Sequence, residues 1–374
     1  MIYQSGTYSS MHDLLGTIKT FLQTNGWTIN KWELDQQGYQ SYTGLDYTGA
    51  MRLHIQKTAS DSSVMYFNFK SVKRGIIFGD HLAQTSQING RYYSEIRGIG
   101  INGSTGYNAG EDWDEQPGYP VSKGTSKSIG ACITELPGSS GTYSYYIFHS
   151  TDACVIVVQI GDNRFVYLAF GLLKKSGVYT GGQFYAGSSE SYQPSYRYWY
   201  ESTNRRDPWR AAFLGNIVDG YSYKISTLAV YLNVDGSAAW RHNGKEGSDD
   251  STNIANLQTG AQVPYSRTDD SGVYRQYAIS LNEFIYDRSP SHFNNVSILA
   301  PVYIFVRRAT ERYTYIGRPE GVRVLNRTPY TSGAEFSIAS DTWKVFPAFD
   351  IEDELSTIIN FSPHVGFAFL KTEV

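Results

Sequence analysis

Residues 143–171 constrain this chain more than any other stretch. Three strand-length runs, 143–149, 153–160 and 164–171, follow one another, separated only by Ser150-Thr151-Asp152 and Gly161-Asp162-Asn163. Separators that short and polar close hairpins, so the runs predict consecutive antiparallel strands. In the middle run, Val155-Ile156-Val157-Val158 is apolar at every position. Neighbours along a strand point to opposite faces, so a run without a polar side predicts a strand in the middle of a sheet covered on both sides.

One cover is visible upstream. Met11, Leu14, Leu15, Ile18, Phe21 and Leu22 form a helical stripe, with Ser10 placed to cap it, Asp13 at the third helical position and Gly26 just past its end. Strand patterns follow: Met51, Leu53 and Ile55 alternate with Arg52, His54 and Gln56, and 64–69 is aromatic and β-branched. A helix followed by antiparallel strands predicts a small α+β unit over residues 1–95. Residues 96–130 carry Gly98, Gly100, Gly103, Gly106 and Gly110, then Glu111, Asp112, Asp114 and Glu115 around Trp113. We read them as a Gly-rich and acidic loop insertion, since long loops in compact domains are usually functional or contact surfaces. The core β pattern occupies 131–175 and resumes over 298–374, leaving 176–297 as a Tyr- and Gly-rich insertion. The expected fold is therefore α+β and β-rich: an N-terminal helix-plus-antiparallel-sheet unit, then a larger, sandwich-like antiparallel sheet assembly with long loop insertions.

Composition excludes several functions. Lys and Arg number 32 against 35 Asp and Glu, a net charge of −3, so no electrostatic footprint for nucleic acid or an anionic membrane is expected. No apolar run approaches the ~20 residues of a membrane-spanning helix. The N-terminus shows no signal-peptide pattern, which predicts a soluble protein made in the cytoplasm. Cys132 and Cys154 fall on neighbouring predicted strands, where two buried free thiols are expected ahead of a cross-strand disulfide.

Chemistry-bearing motifs are sparse. Gly98-Ile-Gly100-Ile-Asn-Gly103 matches the dinucleotide fingerprint by letter, but no helical pattern follows to hold a pyrophosphate. Glu111, Asp112, Asp114 and Glu115 could supply a glycosidase pair, which needs carboxylates about 5–10 Å apart. Asp112 and Asp114 could ligate calcium, though the EF-hand spacing is absent. The histidines are scattered, without H-E-x-x-H spacing, and no G-x-S-x-G elbow occurs. No catalytic residue, metal ligand or cofactor is assigned, and a solvated loop is the expected role of the acidic cluster. The aromatic residues at 179–200 have three readings: subunit contacts, sugar or base stacking, and ordinary core. Low charge and abundant Tyr favour contacts. The interface candidates are Trp113, Tyr179, Phe184, Tyr185, Tyr192, Tyr196 and Trp199.

A family resemblance bears on this. Phe165-Val-Tyr-Leu-Ala-Phe-Gly171-Leu-Leu-Lys-Lys-Ser-Gly177, followed by Gly181-Gly182-Gln-Phe-Tyr-Ala-Gly187-Ser188, resembles a segment of tailed-bacteriophage virion structural proteins. Ile316-Gly-Arg-Pro319-Glu-Gly321-Val-Arg323, Asp341-Thr-Trp343-Lys-Val-Phe346-Pro347 and Gly366-Phe-Ala-Phe369 are similar too. The motifs are turn glycines, a sheet-edge proline and core aromatics, and they carry no catalytic residue across. The resemblance implies a tail component, at the baseplate or tail tip, synthesised in the host cytoplasm and located in the virion. It also implies copies of itself and other phage tail proteins as partners. The alternatives are a glycan- or receptor-binding tail-fibre module contacting a host surface glycan, and a polysaccharide depolymerase working near Trp113.

Overall fold

In the computed structural model, the described residues are 1–35, 50–72, 98–120, 130–134, 142–161, 164–190, 227–233, 236, 238–242, 257–259, 299–307, 313–348 and 365–371. They form one helix and four antiparallel sheets, with strands numbered in chain order. The central sheet has seven strands: β1 (Ile2–Tyr8), β7 (Tyr143–His149), β8 (Ala153–Gly161), β9 (Arg164–Leu172), β11 (Thr180–Gly187), β13 (Thr227–Asn233) and β14 (Ala238–His242), in that order. The hairpin series expected over 143–171 is therefore β7, β8 and β9, adjacent and antiparallel, with one register shift between Gln159 and Gly161.

Both faces of this sheet are covered, and the alternation along β8 sorts the covers. Cys154, Ile156 and Val158 point into one cluster, and Val155 and Val157 into another. The first cluster lies against a six-stranded sheet: β12 (Ser189–Glu190), β6 (Ala131–Thr134), β5 (Gly98–Ser104), β4 (Val64–Val72), β3 (Ala50–Thr58) and β2 (Thr28–Asp35). Its inner face brings Leu53, Ile55, Met65, Phe67, Phe69, Ile99 and Ile101 to the same core. Aromatic rings converge there on Phe170, with Phe67, Phe69 and Trp27 at centroid distances of 5.3, 5.2 and 5.5 Å.

Helix α1 (Met11–Thr24) adds its whole apolar stripe to this cluster. Ser10 caps it, its side chain accepting from the Asp13 backbone N–H at 3.2 Å, and Asp13 accepts in turn from Ser9 N–H at 3.1 Å. These bonds satisfy donors that a helix start leaves unpaired. The chain exits through Asn25 and a left-handed Gly26 into buried Trp27.

The second face is covered by a five-stranded sheet: β16 (Ala300–Pro301), β19 (Val322–Asn326), β22 (Val365–Lys371), β21 (Asp341–Pro347) and β20 (Glu335–Ile338). Residues of the four-stranded sheet join the same cluster: β10 (Lys174–Lys175), β18 (Tyr313–Arg318), β17 (Ile304–Arg307) and β15 (Leu257–Thr259). Phe148 stacks on Phe369 at 5.1 Å, Phe165 meets Phe346 at 5.3 Å, and the Tyr167 hydroxyl donates to the Pro347 carbonyl. At the β1 side a charged clasp ties the layers. Glu335 accepts from Lys344 at 2.9 Å and Lys371 at 3.2 Å, and these ammoniums lie over the rings of Tyr146 and Tyr3.

Several expectations need correction. The boundaries at 95, 130 and 175 are each crossed by strand pairing: β1 joins β7, β4 joins β5, and β9 joins β11. Residues 98–104, expected as part of a loop, are the fully buried strand β5. Its isoleucines alternate inward while Gly103 admits Trp240, whose ring a Cβ at that position would meet at 2.2 Å. A strand in mid-sheet is also no pyrophosphate cradle. Three strands of the supposed insertion, β11, β13 and β14, complete the central sheet. Cys132 and Cys154 are both buried and form no disulfide, and they sit on β6 and β8, in different sheets.

Phe170→Ala should cost about 3–5 kcal/mol, because the site is walled by aromatic rings that cannot collapse into the void. Gly103→Ala should cost about 1–3 kcal/mol by overpacking, and much less when combined with Trp240→Ala. Chemical denaturation of the single and double variants checks both.

Candidate functional site

The second face of the six-stranded sheet is polar and nonetheless buried. His54, Asn68 and Asn102 stand opposite one another across β3, β4 and β5, each at most 1% exposed. His54 Nδ1 lies 2.8 Å from Asn68 Oδ1, Asn68 Nδ2 donates to Ser104 Oγ at 3.1 Å, and Ser104 Oγ donates to the Gly106 carbonyl at 2.8 Å. Because the Asn68 amide N–H donates to Ser104, its oxygen accepts, which assigns the His54 proton to Nδ1.

A strap formed by residues 105–120 lies over this bed. Thr105 N–H donates to the Pro117 carbonyl at 2.8 Å and closes the strap at its base. Inside it, buried Gln116 acts as a spine: its Nε2 lies 3.0 Å from the carbonyls of Asn108, Glu111 and Asp112, while its Oε1 accepts from Asn108 N–H at 2.8 Å. The strap is held to the sheet by Arg52 to Asp112 at 3.1 Å, Lys31 to the Ala109 carbonyl at 3.1 Å, and Asn102 to the Asp114 carbonyl at 3.4 Å. Tyr107 sits against the His54 ring at 5.3 Å. Trp240 Nε1–H donates to the Gly118 carbonyl at 2.9 Å, tying the strap to the central sheet as well.

Burial tunes the titratable groups. His54 is pushed down to about 4, first by loss of water and then by the Lys31 and Arg52 charges, against the Asn68 hydrogen bond. Asp114 is pushed up to about 6, chiefly by burial, with Asp112 and Glu115 adding repulsion and Lys70 opposing. A second buried imidazole, His149, accepts from Trp27 Nε1–H at 3.0 Å and is pushed down to about 4 by burial and by Lys57. Both histidines are neutral at pH 7.

The interface candidates divide three ways. Trp113, Phe184 and Tyr185 are 2, 0 and 0% exposed, so the expectation that they bury area against neighbours is corrected. Phe184 and Tyr185 are successive residues of β11, an interior strand, and point into the two opposite cores. Tyr179 is half-buried: its hydroxyl donates to the Ile316 carbonyl at 2.9 Å and Lys175 lies over its ring at 5.3 Å. Tyr192, Tyr196 and Trp199 lie outside the described residues. Of the acidic cluster, Asp112 is paired with Arg52, and among the described residues no three His, Cys, Asp or Glu side chains come together as metal ligands. The His54–Asn68–Ser104 chain escaped the sequence reading, although His54 and Asn68 at outward positions of adjacent predicted strands were its signal.

The arrangement is mechanical: charged and amide groups pin an acidic loop to a sheet face. No protein-family model matches the sequence, and no curated protein is similar to it.

A pH dependence follows. A histidine whose folded pKa lies below its unfolded value of about 6.5 contributes stability that is complete above that pH and lost as pH falls towards 4. Asp114 acts oppositely, since the native chain holds its proton more tightly between about 3.9 and 6. Urea midpoints should fall as pH drops from 6.5 to 4. His149→Gln should flatten that fall, and Asp114→Asn should steepen it.

Proposed function

We propose that this chain is a structural subunit of a bacteriophage virion, in the tail baseplate or tail tip, acting through contacts with copies of itself and with other tail proteins. Its stacked antiparallel sheets form a sandwich-like core that serves as a rigid platform. The observation that carries this reading is the inward commitment of its polar chemistry. Asp112 binds Arg52, Asp61 binds Lys175 at 2.6 Å, Glu335 binds Lys344 and Lys371, and Gln116 binds the strap. Such groups act as ties between layers, which favours a rigid component over a catalyst. The motif resemblance supplies the virion context. Movement during tail action would then be rigid-body displacement at subunit contacts.

The test is the protein content of purified virions of the phage that carries this chain. Mass spectrometry should find the chain at fixed stoichiometry, and gold-labelled antibody should mark the tail end. A chain absent from virions would sink the reading. Binding to a host glycan array that disappears in Trp199→Ala would move the assignment to host recognition.

A further inference from the structure

A sheet edge is a row of unpaired backbone donors and acceptors, and proteins guard such edges with charge, proline, bulges or brevity. Among the described residues the four sheets have eight edge strands, and seven are guarded. Strand β2 carries Lys31, Glu33 and Asp35 and a register shift between Ile29 and Lys31. Strand β14 is five residues long and carries Arg241 and His242. Strands β10, β12 and β16 are two residues each, of which β10 is Lys174-Lys175, β12 ends in Glu190 and β16 contains Pro301. Strand β15 has three residues, and β20 has four, beginning with Glu335.

Strand β1 is the exception. Its seven residues, Ile-Tyr-Gln-Ser-Gly-Thr-Tyr, contain no charge and no proline. Its pairing with β7 runs from Ile2 to Tyr8 without a register shift. Its far side pairs with no strand among the described residues. Ile2, Ser5 and Thr7 are exposed along it. The strand is also held rigid, since Tyr3 packs on Phe148 at 5.2 Å, Gln4 donates to the Tyr145 hydroxyl at 3.0 Å and the Tyr8 hydroxyl donates to the Gln159 carbonyl at 2.9 Å.

We propose that β1 pairs antiparallel with β1 of a second copy across a twofold axis at Ser5, joining the two central sheets into one. This deepens the assembly reading and rests on it. Self-pairing suits this strand because it carries no charge to face its own like. With Ser5 on the axis, Ser5 faces Ser5, Tyr3 faces Thr7, Ile2 faces Tyr8 and Gln4 faces Gly6, over which the Tyr145 ring of the same chain lies. Half-buried Tyr3 thus stands opposite β-branched Thr7, a favourable cross-strand arrangement, while Tyr8 stays buried in its own chain. The pairing also preserves faces: residues 3, 5 and 7 of both copies share the side of the five-stranded sheet, so both layered cores continue across the join.

The test is solution mass by analytical ultracentrifugation of the full chain at micromolar concentration. The wild type should be a dimer or an even-numbered oligomer. Ser5→Lys sets two ammoniums face to face, and Ser5→Asp two carboxylates, so each alone should weaken association about tenfold or more. An equimolar mixture of the two variants should restore it, which a folding defect would not do. Ser5→Cys should form an interchain disulfide under mild oxidation. A monomeric wild type, or an oligomer indifferent to Ser5→Lys, overturns the β1 pairing. Either result leaves the virion-content experiment to decide the assembly reading.

Discussion

The structure depends on burying β8 from both sides. A strand reading Ala-Cys-Val-Ile-Val-Val-Gln-Ile-Gly has no face fit for water. At about 25 cal/mol per Å² of apolar surface, leaving either face open would be costly. The chain answers with two covers of different make. One is the helix with the six-stranded sheet, closed by rings gathered on Phe170. The other is the five-stranded sheet, with residues of the four-stranded sheet, closed by Phe148, Phe346, Phe367 and Phe369. The remaining strands complete these layers or tie them together.

Cover elements come from both ends of the chain, so the fold is held by contacts between residues far apart in sequence. Strand β1 pairs with β7, Tyr167 reaches Pro347, and Trp27 reaches His149. Long-range pairing of this kind forms slowly, since loop closure must precede the contacts that reward it. The charged clasp at Glu335 and the strap over His54 lie where layers meet or where a polar face needs a lid. They act as fasteners on a core that hydrophobic burial has already specified.

Local elements were legible in the sequence because local rules govern them. The three hairpin strands, the capped helix and the doubly buried stretch of β8 all lie where periodicity and turn chemistry predict. Partnership was less legible. Gly-rich 98–104 reads as loop by composition, yet Ile99 and Ile101 alternate as a strand does, and Gly103 is small because Trp240 occupies the space beside it. Phe184 and Tyr185 read as contact residues because Tyr-rich segments suit both interfaces and cores. Neither composition nor period separates those fates; the neighbour across the sheet does, and β9 and β13 on either side of β11 bury them. The polar bed under the strap was hidden for the same reason, since outward His and Asn on a strand ordinarily meet water.

A central sheet covered on both faces has its edges and its connecting segments left for contact with other molecules. On β1 the side chains are already engaged within the chain, with Tyr3 under Lys371, Gln4 on Tyr145 and Tyr8 on Gln159. Ile2, Ser5 and Thr7 are the exposed positions where a guarding charge could stand, and none of them carries one. The other edge of the same sheet is treated differently: β14 carries Arg241, and its Trp240 is fastened to the strap through Gly118. One end of the central sheet is thus anchored into its own chain, while the other, β1, pairs with no further strand among the described residues. That asymmetry is what the proposed β1 pairing rests on: a free edge held rigid by Tyr3, Gln4 and Tyr8 at one side of a sheet whose other side is fastened.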